Sequence, residues 1–179
     1  MTGFDRAFEN ALFDTQRAIR YHDQRKSFFD FMHRVTNVLT ILMAGNVIFT
    51  LALPVNGQAP WWFTAISIIA VLMAACDLVI GYSSKSALHA SLRDQFIDLE
   101  TEIQIAGKSE FNSADFQKKR AEIEKKEPPV YCALDAVCYN EVVRATYDRD
   151  KYRNYLLNIH WSHRLTRHFF QWKNITETT

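Results

Sequence analysis

Two long apolar runs separated by a short turn constrain this chain more than any other feature. The runs cover residues 35–53 and 61–82, and the turn, 54–60, carries no charge. A helix needs about 20 apolar residues to cross the hydrocarbon core of a bilayer, and each run has about that length. The first run has no charged residue and the second only Asp77. The pattern predicts a transmembrane helical hairpin rather than a buried helix pair of a soluble protein.

The charges around the hairpin predict its orientation. Basic residues crowd the entry to the first run and follow the second, at Arg17, Arg20, Arg25, Lys26, Arg34, Lys85 and Arg93. Positive charge favours the cytoplasmic side, so both termini are expected there, and Trp61 and Trp62 are expected at the outer interface. The charged segment before the first run is too long for the start of a signal peptide, so the first span is expected to stay as an anchor.

Periodicity predicts helices outside the membrane as well, and hence an all-α membrane protein. We expect a cytoplasmic amphipathic helix over 1–34, the hairpin over 35–82 and a cytoplasmic helical bundle over 83–179. A packing seam is expected at steps of three and four residues, at Leu88, Leu92, Phe96, Leu99 and Ile103. Asn112 or Ser113 is expected to cap the next helix, and a last helix is expected over about 148–172.

Small and polar residues recur on one predicted face of the second span. The spacing of three and four residues places them together, at Ser67, Ala70, Ala74, Asp77 and Gly81. Such a face either packs against the first span, because small residues let helix backbones approach, or lines a pore in a homo-oligomer. Both interpretations stand at this point.

The acid in the second span should have a partner, because an isolated carboxylate in a membrane costs several kcal/mol. Asn37 and Thr40 of the first span lie at a similar depth in an antiparallel hairpin, so they are the predicted partners. Asn46 lies on the opposite face of the first span from Asn37. We therefore expect it to meet a neighbouring protomer.

Motifs that would indicate catalysis are missing from the sequence. It has no GxSxG, HExxH or phosphate-binding glycine loop, and its three cysteines lack CxxC spacing. The histidines at 160, 163 and 168 stand among arginines and aromatics, which is more typical of a basic interfacial face than of a metal site. A net charge of +1 does not favour a nucleic-acid partner. No enzymatic activity, metal or cofactor is predicted.

The segment 127–141, EPPVYCALDAVCYNE, resembles the SLATT family, the SMODS and SLOG-associating two-transmembrane effectors. The segment 20–25, RYHDQR, and the order of helix, two spans and helical tail add to the resemblance. The residues of the cytoplasmic motif are Pro128, Pro129, Tyr131, Asp135, Cys138, Asn140 and Glu141. The resemblance implies an effector of the bacterial inner membrane that permeabilises it and halts or kills a phage-infected cell. Because no separate nucleotide-binding domain is present, it also suggests a cytosolic sensor or signalling protein as partner.

These observations predict a homo-oligomer that permeabilises or depolarises the bacterial inner membrane in anti-phage defence. A non-conducting membrane adaptor is the alternative, with residues 131–147 and the last helix docking a cytosolic partner. A phage holin is a further alternative, although a cytosolic bundle of this size is more than a hole-forming protein needs.

Overall fold

The computed structural model describes residues 3–52, 61–148 and 152–172, with the side chains of these ranges except at 4, 44–52 and 63–64. The regular structure in this part of the chain is helical, and no β-strand occurs in it. The predicted all-α class is therefore confirmed. The turn at 54–60 and the side chain of Asn46 lie outside the described residues.

Six α-helices and one 3-10 turn follow one another in the described part of the chain. They are α1 (Gly3–Ala52), α2 (Trp61–Ile80), α3 (Tyr82–Glu110), α4 (Ser113–Glu124), α5 (Cys132–Thr146), the 3-10 turn (Tyr152–Tyr155) and α6 (Trp161–Thr166). No proline interrupts α1, so the predicted amphipathic helix continues directly into the first apolar run. Asn112 caps α4 as expected, since its side chain accepts from the backbone N–H groups of Ala114 and Asp115.

The described chain divides into two compact units. We call residues 26–88 the hairpin unit and the remainder, up to Arg25 and from His89 onward, the bundle unit. The helices α1 and α3 contribute to both units, with junctions at 25/26 and 88/89. The boundaries of the membrane segment at 34/35 and 82/83 stay predictions.

Apolar residues of α3 form the main core of the bundle unit. The predicted seam is confirmed at Leu92, Phe96, Leu99 and Ile103, each at most 5% exposed, whereas Leu88 is 40% exposed. These residues pack with apolar residues of α1 and α4 and with Phe111. A fully buried side chain of this kind stabilises a fold by about 1.5–3 kcal/mol.

The last predicted helix is wrong over most of its length. In place of one helix over 148–172, the described residues form the 3-10 turn and the short α6. The Asn140 amide group holds the backbone of Leu157 between these two elements: it donates to the carbonyl at 2.9 Å and accepts from the N–H at 2.8 Å. His160 then starts α6, because its side chain accepts from the N–H of Ser162.

Among the described residues, no single helix is both long enough and apolar enough to cross a membrane. One pair of segments meets that length and composition together, Ala65–Ile80 with Tyr82–Glu110, and the two are bent by 45°.

Candidate functional site

A chain of polar contacts joins α1 and α2 inside the hairpin unit. The Nδ1 atom of His33 lies 3.2 Å from Oδ2 of Asp77, and the Nδ2 atom of Asn37 lies 3.1 Å from Nε2 of His33. One neutral tautomer satisfies both contacts, because Nδ1–H donates to the carboxylate while Nε2 accepts from the Asn37 amide. The hairpin therefore carries a continuous relay from an amide through an imidazole to an acid.

The direct partner of Asp77 differs from the two predicted residues. His33 makes the contact, and Asn37 reaches the acid only through His33. Thr40 instead donates its hydroxyl to the carbonyl of Thr36, one turn back in its own helix, at 2.9 Å. His33 was missed because it precedes the apolar run, although it stands four residues before Asn37 and hence on the same helical face.

The small face of α2 is turned inward, as expected for a packing face. Ala70 is only 4% exposed, and Ser67, Ala74 and Asp77 are partly buried. The large residues on the other faces are well exposed, including Ile68, Ile69, Leu72 and Val79 at 56–84%. The arrangement fits close approach of α2 to α1. The pore-lining role of this face stays a prediction.

Gly81 does not extend that face, and the predicted helical placement is wrong at this residue. It lies between α2 and α3 with a φ of +67°, a left-handed conformation that L side chains rarely adopt. An added Cβ would meet nothing closer than the Cβ of Ser84 at 3.8 Å. Glycine is therefore required here by backbone conformation and not by close packing.

A charged contact lies at the base of the hairpin unit, before the first apolar run. The Asp30 carboxylate accepts from the Lys26 ammonium at 2.7 Å and through a short bond from the Ser86 hydroxyl. The Lys26 bond, followed by the Ser86 bond, lowers the pKa of Asp30. In the same unit, the ring of Phe29 stacks on Tyr82 with centroids 6.3 Å apart. The carboxylate and the aromatic pair together link α1 to α3 within this unit.

The outer faces of the hairpin unit are apolar. The exposed large residues include Phe31, Val38, Ile41 and Leu42 on α1 at 55–71%, and Trp61, Leu78 and Val79 on α2 at 82–88%. Large exposed apolar surfaces commonly mark sites of contact with another protein or with a membrane.

Two buried histidines contact each other in the bundle unit, and no motif in the sequence predicts this pair. His22 of α1 and His89 of α3 are 1% and 2% exposed, and their Nδ1 atoms are 2.9 Å apart. The other nitrogen of His22, Nε2, lies 3.1 Å from Oε1 of Glu127, and Phe96 stacks on the His22 ring. In the described chain, no three His, Cys, Asp or Glu side chains are placed to hold a metal. The contacts of His22 link α1, α3 and the segment before α5.

The motif within residues 128–141 packs α5 against α1. Pro128 and Pro129 lie in the irregular segment before α5, and Tyr131 is its N-cap residue. The N–H of Tyr131 donates to the Tyr21 hydroxyl at 3.0 Å, and the Arg25 guanidinium lies 4.1 Å from the centre of the Tyr131 ring. Burial raises the pKa of Tyr21 to about 12 and lowers the pKa of Arg25.

The remaining motif residues are also structural. Cys138 is fully buried, and burial raises the pKa of its thiol to about 12. Burial likewise raises the pKa of Asp135, outweighing Arg17, whose Nε lies 3.4 Å away. Glu141 accepts from the Gln24 amide at 2.9 and 3.0 Å, and Asn140 holds Leu157 as described above. The seven motif residues thus lie on α5 or in the segment directly before it.

The histidines near the C-terminus do not converge on one point. His160 caps α6, the His163 ring lies 4.6 Å from the Trp172 ring, and the His168 carbonyl accepts from Arg25 at 2.9 Å. Burial, aided by the neighbouring Arg167 and Arg25, lowers the pKa of His168 to about 4.

Comparison of the chain with known protein families, with curated proteins and with solved structures gives no match.

Proposed function

We propose that the apolar runs 35–53 and 61–82 of the hairpin unit span the inner membrane of a bacterium, with both termini on the cytoplasmic side. The observation that carries this proposal is the arrangement of the unit: its large apolar side chains point outward, while Asp77, His33 and Asn37 join α1 to α2. A bilayer stabilises such a surface, and it requires polar groups to be paired within the protein.

In this proposal, the protein is a non-enzymatic effector that assembles as a homo-oligomer and permeabilises the membrane. The polar relay supports permeabilisation because it is only partly buried: the side chains of His33 and Asp77 are 37% and 20% exposed. Ionisable groups at membrane depth usually face a partner helix or a water-filled path. The resemblance of segment 127–141 to SLATT proteins supports a role in halting phage-infected cells, with a cytosolic sensor or signalling protein as the trigger.

The test is membrane potential, followed with a voltage-sensitive dye in bacteria induced to express the chain. The wild type is expected to depolarise the cells, and Asp77→Leu at the same expression level is expected to abolish the signal. Leu72→Ala is the matched control, because it alters a lipid-facing residue of the same helix that is 60% exposed. It should depolarise as the wild type does.

Two results would overturn the permeabilising role. One is normal potential in cells that carry the genomic neighbours and are challenged with phage. The other is equal depolarisation by the wild type and Asp77→Leu, which would remove the polar relay from the path. A soluble partner that co-purifies with a non-conducting chain would instead favour an adaptor.

A further inference from the structure

The segment after α5 combines positive charge with exposed aromatic residues. Residues 152–172 contain no aspartate or glutamate, but include Arg153, Arg164 and Arg167. The segment exposes large apolar side chains at 50–72%, namely Tyr155, Trp161, Leu165, Phe169 and Phe170. We call this segment the aromatic-basic surface. It belongs to the bundle unit.

A cavity of about 270 Å³ opens beside this surface, and arginines dominate its charged lining. Arg144 from the end of α5 meets Arg164 and Arg167 there, with Asn140 and Asn158 as polar neighbours. Glu141 is the acid of the lining, and its oxygens accept from Gln24. Among the described residues, no ion pair links the three arginines to a carboxylate. The cavity is therefore suited to an anionic group from outside the chain.

We propose that the aromatic-basic surface docks on a bilayer that contains anionic phospholipid, with the arginine cavity receiving lipid phosphate. Arginine pairs with phosphate through several N–H donors, and Trp, Tyr and Phe favour the membrane interface. The exposed Leu165, Phe169 and Phe170 favour a lipid surface over a nucleic acid, which would call for a more extended basic face. The proposal rests on the membrane location of the hairpin unit, because that location brings the bundle unit within reach of lipid.

The experiment uses the full chain, with Trp61→Phe and Trp62→Phe, reconstituted in liposomes. The two remaining tryptophans, Trp161 and Trp172, then report on the proposed surface. Every preparation contains the same fraction of brominated phosphatidylcholine as quencher, with or without phosphatidylglycerol. Quenching is expected to rise when phosphatidylglycerol is present, and Trp161→Phe should remove most of the rise. Flotation at alkaline pH reports separately whether the hairpin unit is inserted.

The charge variants are Arg144→Gln with Arg164→Gln, compared with Lys118→Gln on α4 and Lys125→Gln at the C-cap of α4 as the matched control. Each removed arginine should lower the ratio of docked to undocked bundle about fivefold, the equivalent of about 1 kcal/mol per charge near an anionic surface. The control pair removes the same charge from exposed positions outside the proposed surface, so it should leave quenching unchanged. Far-ultraviolet circular dichroism verifies that each variant is folded.

The possible results separate the two proposals. An inserted chain whose tryptophans are quenched equally with and without phosphatidylglycerol, or not at all, overturns the docking while leaving the membrane location intact. Equal losses in the arginine and lysine variants also overturn it, since the effect would then come from net charge. A chain that does not float at alkaline pH overturns both proposals.

Discussion

The contact between His33 and Asp77 should appear as a measurable coupling free energy. Polar contacts between helices in membranes contribute about 0.6 kcal/mol on average and up to about 1.7 kcal/mol. The distance of 3.2 Å is typical of a hydrogen bond, but the His33 side chain is 37% exposed. We therefore expect a coupling near the average, about 0.6 kcal/mol or a threefold change in the unfolding equilibrium.

A double-mutant cycle measures this quantity. His33→Ala, Asp77→Ala and the double variant are purified in mixed micelles and unfolded by titration with dodecyl sulfate, with tryptophan fluorescence as the signal. The matched control is a cycle of Asp77→Ala with Thr40→Ala, because the Thr40 hydroxyl donates to Thr36. That cycle should be additive, whereas the His33 cycle should not.

The outcome decides between two sets of partners for the same acid. The depth predicted from the sequence favours Asn37 and Thr40 as partners of Asp77, whereas in the structure His33 contacts Asp77. Additive effects in the His33 cycle, within about 0.3 kcal/mol, would refute the relay, since contacting residues rarely behave independently. Coupling in the Thr40 cycle instead would show that α1 and α2 pair in a different register.

Three further substitutions or reactions probe the backbone, the core and the response to pH. Gly81→Ala should lower the free energy of unfolding by about 1–2 kcal/mol, because a Cβ is strained at φ +67° even where space exists. The dodecyl sulfate titration measures this change. An unchanged midpoint would contradict the strain argument. Iodoacetamide should label the exposed Cys132 in the folded chain but reach the buried Cys138 only after unfolding. Peptide mass spectrometry follows the labelling of each cysteine. Early labelling of Cys138 would argue against its burial. Folding lowers the pKa of His168 from 6.5 to about 4, so the unfolded chain binds more protons between these values. The free energy of unfolding is therefore highest above about pH 6.5, and it decreases as the pH falls towards 4. His168→Gln should flatten the dependence of Tm on pH in that window, and a profile identical to that of the wild type would exclude His168 as the cause.

Periodicity predicted the helical class and most of one core seam, because both depend on local spacing. The four buried residues of the α3 seam follow steps of four, three and four, and burial on one helix face requires only that pattern. Leu88 fits the same spacing, but it is 40% exposed and belongs to the hairpin unit rather than to the bundle unit. Spacing alone does not show where a helix changes its neighbours.

The features that the sequence did not predict correctly share a physical cause, because they depend on contacts between residues far apart in sequence. The last helix was predicted from apolar residues at helical spacing, but Asn140 binds the Leu157 backbone from 17 positions away and replaces the helical pattern. The His22 and His89 pair is separated by 67 positions, and neither residue has a local signature. His33 was the exception, since its spacing from Asn37 could have shown that both belong to one polar face.

In each unit, one histidine links two other polar side chains. The two histidines differ in how well they tolerate the loss of a partner. His33 lies between Asn37 and Asp77, and His22 lies between His89 and Glu127. His33 is more than a third exposed, so after loss of its acid it can bond to water. His22 is 1% exposed, so loss of the Glu127 carboxylate would leave a buried N–H without its acceptor, at a cost of about 1–3 kcal/mol. The polar contacts of the hairpin unit are therefore the easier ones to rearrange, which is the property that the proposed opening of the membrane requires.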